Sequence, residues 1–202
     1  MESQIAHIDY YMVTSSVFTY LAGDELEHIA AKYRVKINYK PFQLMQVFER
    51  TGGTAPKDRH ISRQIYRDQE LPRIAKHNNM DITVKPAFWP TNPAPSCYAI
   101  IAAQAVGGGN VGELCQSILR ACWLEDKDIS DDKVIKDALI SNGFDASITE
   151  SGLLEGAETF SRNTEDAIQA NVFGSPSYVV GDQVFFGQDR LEYLNAYLAE
   201  IS

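Results

Sequence analysis

The two ends of this chain read as pieces of one β-sheet, and that order constrains the fold more than any other feature. "HIDYYMV" and "VKINYKPF" both alternate in polarity; in the second, Val35, Ile37 and Tyr39 point one way and Lys36, Asn38 and Lys40 the other. Between them Phe18, Leu21, Ala22, Ile29, Ala30 and Tyr33 recur at helical spacing. That spacing predicts one helix over 18–33 and a β–α–β crossover between parallel strands. At the other end "SYVVGDQVFFG" reads as a hairpin turning on Gly181-Asp182. A helix follows in "QDRLEYLNAYLAEI", with Leu191, Leu194, Tyr197, Leu198 and Ile201 on one face.

The middle is helical in character. "NVGELCQSILRACWLED" is amphipathic after a glycine run, and "SDDKVIKDALISNG" carries a Ser cap, first-turn acids and a terminating Gly. "EGAETFSRNTEDAIQANVFG" reads as a further helix ending near Gly174, whereas "KPAFWPTNPAPS" is a proline-rich connector unsuited to a helix interior. There are no internal repeats. A hairpin at the C-terminal end finds buried partners only by joining the N-terminal strands in one sheet.

Bulk properties narrow the function classes. The chain has 202 residues, 45% hydrophobic and 22% charged, with a net charge of -9 and a pI of about 4.9. Such an acidic protein is repelled by phosphate backbones and anionic membranes unless basic residues cluster. The richest basic run, "KDRHISRQIYR", is interleaved with polar residues and is not read as a cluster. Neither a nucleic-acid nor a membrane partner is therefore expected. "MESQIAHIDYY" lacks the basic and apolar regions of a secretory signal, and "YAIIAAQAV" is too short to span a bilayer. The expectation is a cytoplasmic enzyme or binding protein. Cys97, Cys115 and Cys122 include no CxxC, and Cys115 and Cys122 stand seven apart on one helix face. At about 1.5 Å rise per residue they are roughly 10 Å apart, too far for a disulfide. All three are expected to be buried and inert. His7, His28, His60 and His77 show no metal-ligand spacing, so no metal is expected.

The element order resembles the thioredoxin fold with a large inserted all-helical domain, as in the DsbA-like superfamily. Within it the chain resembles the branch of 2-hydroxychromene-2-carboxylate isomerases and kappa-class glutathione transferases. "IDYYMVTSSVFTYLA" is similar to that family's strand–Ser–Pro–aromatic–x–Tyr–Leu opening, and "NVFGSPSYVVGDQVFFGQDRLEYL" to its closing turn, hairpin and G-x-D-R helix start. "TGGTAP", "KPAFWPTNPAP" and "RNTEDAI" extend the likeness over nearly the whole chain. The implied division is a discontinuous thioredoxin-like domain, 1–42 and 165–202, around a helical insert, 43–164.

The resemblance also implies a site. Where thioredoxins carry CxxC, this chain has Ser16-Val17-Phe18-Thr19, and Ser16 is the residue implied to hydrogen-bond the sulfur of bound glutathione. A hydroxyl donor at a helix N-terminus favours a thiolate over a thiol of pKa about 8.5. Thr14 and Ser15 read as caps. Val17 replaces the family's proline, which presets the first helical turn. Ser175-Pro176 is implied to be cis, with Ser175 offering its backbone to the cysteinyl part of glutathione. Asp189 and Arg190 are implied at the γ-glutamyl end. Gly53 stands where related transferases place an Asn, with Lys57 or Arg59 as substitutes for that contact. Phe88, Trp89 and Asn92 are candidates for the wall of a substrate pocket, although aromatics are most often core. Tyr10, Tyr11 and Tyr20 read as core.

The function implied is a glutathione-dependent isomerase. Its recycled nucleophile would be the glutathione thiolate, acting on an unsaturated aromatic-derived small molecule, in a homodimer. The alternatives are a kappa-like glutathione transferase, which consumes glutathione, and a non-catalytic thiol- or peptide-binding module.

Overall fold

The computed structural model describes residues 7–202. The first part of the chain forms β1 (His7–Met12), α1 (Val17–Leu21), α2 (Glu25–Tyr33), β2 (Lys36–Pro41), α3 (Leu44–Thr51) and α4 (Ile61–His77). Then come α5 (Ala94–Val106), α6 (Val111–Trp123), α7 (Asp132–Ser141), α8 (Ile148–Ser151) and α9 (Leu153–Gln169). The chain closes with β3 (Ser177–Val180), β4 (Gln183–Phe186) and α10 (Leu191–Ile201). The segment "MESQIA", on which the signal-peptide reading partly rests, lies outside the described residues.

The four strands make one sheet in the order β2-β1-β3-β4. β1 runs parallel to β2 and antiparallel to β3, so Tyr10 stands opposite both Tyr39 and Tyr178. Strand alternation then sorts the side chains by face. Ile8, Tyr10 and Met12 enter the main core with Leu21, Leu26, Ile100, Ile118, Trp123, Tyr178 and Leu194. Tyr11, Val13 and Val179 face a smaller core with Phe42, Val47, Ala167 and Val172. Both sheet faces are thereby covered by helices. The β2 edge is blunted at Tyr39, whose backbone N–H donates to Gln104 Oε1 at 2.8 Å and whose carbonyl accepts from Gln104 Nε2 at 3.0 Å. A strand edge with its polar groups occupied offers less of a template for another chain.

The hairpin turns where the sequence places it, with Gly181 at φ +61° and Val180 opposite Gln183. The single helix expected over 18–33 is instead two, α1 and α2. Gly23 adopts φ +60°, and the freed carbonyls of Leu21 and Gly23 accept from Asn78 Nδ2 and Gln116 Nε2. Side chains distant in sequence thus stabilise a break that periodicity does not reveal. The cap of α7 is Asp131, which accepts from Lys133 N at 2.7 Å, rather than Ser130. The tail of the proline-rich connector becomes the first turn of α5, with Pro95 where no intrahelical donor is needed. α3 and α4 have no counterpart in the sequence reading.

The three cysteines are buried and unpaired. Tyr10, Tyr11 and Tyr20 are buried, as expected. Among the described residues, no helix is long and apolar enough to cross a membrane, and no His, Cys, Asp and Glu side chains group as metal ligands. The division at 42/43 falls between β2 and α3; that at 164/165 falls inside α9, which packs on α5, α3 and β2.

Candidate active site

Three consecutive hydroxyl residues leave β1, and the structure gives them different partners. Thr14 is fully buried, with its Oγ1 2.8 Å from Ser96 Oγ, which pins the loop to α5. Ser15 contributes its carbonyl, which accepts from Trp89 Nε1 at 3.1 Å. Ser16 is the N-cap of α1: its Oγ accepts from Thr19 N at 3.3 Å. The same hydroxyl donates across the site to the Ser175 carbonyl at 3.2 Å. Val17, in place of the expected proline, is buried in the first turn.

The Ser175–Pro176 bond is cis, as expected, and Trp89–Pro90 is a second cis bond that sequence reading did not foresee. Ser175 Oγ is held from two sides, accepting from Val13 N at 3.0 Å and lying 2.9 Å from Thr19 Oγ1. Those bonds fix the side chain on the β1 and α1 side, and the Ser175 carbonyl faces Ser16. Its N–H finds no acceptor among the described residues. Gly187 N donates to the Pro176 carbonyl at 2.9 Å, which ties the entry of the last helix to the same corner. Gly187 has φ +106°, and a Cβ there would sit 2.7 Å from Asp189 Oδ1. The positive φ favours glycine here, while the exposed Asp189 carboxylate can swing aside from a Cβ. Asp189 and Arg190 lie exposed in the turn before α10 and pair with each other at 2.9 Å.

The remaining candidates divide. Trp89 belongs to the site through Ser15 and packs at a tilt against Trp123, ring centroids 5.6 Å apart. Phe88 is about half exposed, and Asn92 spends its Oδ1 on Ala94 N at the start of α5. Gly53 is exposed after the end of α3, and a Cβ there would fall 2.2 Å from the Phe48 ring, so an Asn needs Phe48 to move. Lys57 is exposed, and Arg59 Nε donates to the Thr54 carbonyl at 3.0 Å. None of these five has a hydrogen bond to Ser16 or Ser175 among the described residues.

The second half of the basic run that seemed dispersed folds into α4, where the four-residue spacing brings Arg63 and Arg67 to one face, with Arg59 just before the helix. Burial pushes the Arg67 guanidinium below its ordinary range; Asp68 opposes this shift and Arg59 adds to it. Arg67 Cζ lies 5.0 Å from the Trp89 ring centroid and 5.8 Å from that of Trp123. Sequence reading missed Arg67, for which the only signal was the Arg59–Arg63–Arg67 spacing. It also missed Thr19, whose hydroxyl orients Ser175.

Comparison with known proteins extends this picture over the whole chain. Residues 7–199 match the family model described as a DSBA-like thioredoxin domain. A 2-hydroxychromene-2-carboxylate isomerase of Pseudomonas putida is 28% identical over 199 residues, covering 96% of this chain and 95% of the relative. Another isomerase of that name, from Pseudomonas sp. (strain C18), is 29% identical, covering 95% of this chain and 89% of the relative. The solved structure of a 2-hydroxychromene-2-carboxylate isomerase superposes with a TM-score of 0.78 at 24% identity, covering 96% of this chain and 95% of that one. With a four-stranded mixed sheet, a helical middle and a cis-proline corner facing the first helix, the chain belongs to the family of DSBA-like thioredoxin domains.

Proposed function

We propose that this protein is a glutathione-dependent isomerase of the 2-hydroxychromene-2-carboxylate type. One observation carries the reading: a serine hydroxyl, not a cysteine thiol, caps α1 and donates to the carbonyl before the cis-proline. Serine cannot exchange disulfides, and the three cysteines are buried elsewhere. That combination favours activation of a soluble thiol over dithiol redox chemistry. The near-full-length likeness to curated isomerases supports the same choice.

The residues present fit glutathione on a specific point. Ser175 is buried yet has an N–H without an acceptor beside a carbonyl that accepts from Ser16. A peptide ligand with a complementary N–H and C=O satisfies both, and unsatisfied buried peptide groups are otherwise rare. Ser16 Oγ–H, which donates to the Ser175 carbonyl, would turn to the sulfur once the ligand's N–H takes that carbonyl. The neighbouring Asp189 and Arg190 offer opposite charges to the ammonium and carboxylate of the γ-glutamyl end. Bound reduced glutathione would supply a thiolate that adds to an unsaturated carbon of an aromatic-derived substrate and leaves again unchanged. Trp89 walls the side of the site next to Ser15.

The test is calorimetric titration of wild type and Ser16→Ala with reduced glutathione, following the bound thiolate by its ultraviolet absorbance. Wild type is expected to bind and to lower the thiol pKa; Ser16→Ala is expected to bind and leave the pKa near that of free glutathione. Absence of binding to wild type overturns the reading.

A further inference from the structure

We propose that Arg67, over the ring of Trp89, reads the carboxylate of an aromatic acid at the edge of the Ser16 site. For its place in turnover this rests on the proposed isomerase reading; as a binding statement it stands on Arg67 and the two tryptophans alone. The Arg67 side chain retains 16% of its exposure, so it has given up most of its water. Its only carboxylate neighbour among the described residues is Asp68, at 3.8 Å, beyond hydrogen-bond length, and Asp68 also meets Lys85 at 3.4 Å. Its guanidinium makes no hydrogen bond to the protein among those residues. What holds it is aromatic: the Trp89 and Trp123 rings at 5.0 and 5.8 Å. Beside it, the buried Trp123 Nε1 also has no acceptor.

Desolvated donors with few protein acceptors suit an anionic ligand. Arg59 adds like-charge repulsion at Arg67, which an incoming carboxylate relieves. A guanidinium lying against an indole presents its planar fork toward such a group, whereas a lysine ammonium is a point charge without that preorganisation. The location gives the ligand its second property. Trp89 also donates to the Ser15 carbonyl, so one indole spans from the cation to the residue before Ser16. A flat aromatic body against Trp89 with its carboxylate on Arg67 would bring the rest of the molecule toward Ser16. A neutral aromatic would have the wall and not the cation. Arg67 is therefore a specificity residue, not a catalytic one.

The chain has two tryptophans, Trp89 and Trp123, and Arg67 lies against both, so intrinsic fluorescence reports directly on this corner. The experiment titrates the full-length protein with cinnamate and with its neutral twin cinnamamide, with and without reduced glutathione. The probes are wild type, Arg67→Gln and Arg67→Lys, each shown to be folded by circular dichroism. Wild type is expected to bind cinnamate about 10-fold tighter than cinnamamide, in line with one charge-assisted hydrogen-bonded pair. Arg67→Gln is expected to lose that preference while holding cinnamamide as wild type does, and Arg67→Lys to keep part of it. Equal preference in wild type and Arg67→Gln, or no preference in wild type, overturns the proposal. Because the preference is read without glutathione as well, the two readings fail separately. A preference lost in Arg67→Gln in a protein that ignores glutathione sinks the isomerase reading alone.

Discussion

Ser175 shows how much of this site depends on hydroxyls that never touch a substrate. Its Oγ accepts from the Val13 amide and bonds Thr19 Oγ1, and it is buried. Ser175→Ala leaves both groups without that partner, and an unsatisfied buried donor costs about 1–3 kcal/mol. Urea denaturation of the variant should show a lower midpoint at unchanged slope. Ser175→Ala combined with Thr19→Val should cost less than the sum of the single changes, because the two hydroxyls bond each other. Strict additivity would mean that they act independently. At this scale the sequence was informative only where the chemistry is local. Ser16 is legible because capping depends on the next three residues, and the cis Ser175–Pro176 bond because it belongs to a recognisable turn motif. Arg67 is not legible: its meaning comes from tryptophans on a distant loop and a distant helix, and no run of neighbouring residues records that meeting. Thr19 was hidden for the same reason, since its partner lies 156 residues away.

Helices were read well where one amphipathic face meets the core and poorly where neighbours intervene. α6 and α10 follow their apolar periodicity closely, whereas α9 ends at Gln169, five residues before the expected Gly174. α4 was missed because its exposed face is charged, its buried positions are few and Pro72 sits inside it. The break between α1 and α2 required knowledge of Asn78 and Gln116. Packing of α9 on α5 yields a sharp expectation. Gly156 of α9 lies under Tyr98 of α5, and a Cβ there would come within 2.9 Å of the Tyr98 backbone at both Cα and O. Backbone cannot swing aside as a side chain does, so Gly156→Ala must push the helices apart. Overpacking of this kind costs about 1–3 kcal/mol, which outweighs the gain of roughly 1 kcal/mol from alanine's helix propensity. Thermal denaturation should therefore show a lower Tm for Gly156→Ala. A higher Tm would show that propensity wins and that the two helices are not in close contact.

Element order in sequence reads as a domain interrupted by a long insert, but the packing joins the two parts. The main core holds Ile8, Tyr10 and Met12 of the sheet together with Ile100, Cys115, Ile118 and Trp123 of the helical middle. We propose that the insert does not unfold separately, because doing so would expose the sheet face it covers. The cysteines offer a direct reading. Burial pushes the Cys97 thiol to about 11 and the Cys122 thiol to about 12, and raises Cys115 well above its ordinary value. Thiolate is the reactive form, so the native protein should resist a thiol reagent at pH 8, where a free cysteine of pKa about 8.5 reacts readily. Raising the pH from 8 to 9 speeds a free thiol only about threefold, because much of it is already ionised. The native protein should stay far slower yet gain roughly tenfold, since its raised pKa values lie well above that range. In urea, labelling of all three cysteines should then rise in one step that coincides with the loss of far-ultraviolet circular dichroism, to which sheet and insert both contribute. Labelling that precedes the dichroism change would mean that the helical middle opens alone and that the shared core does not couple the two.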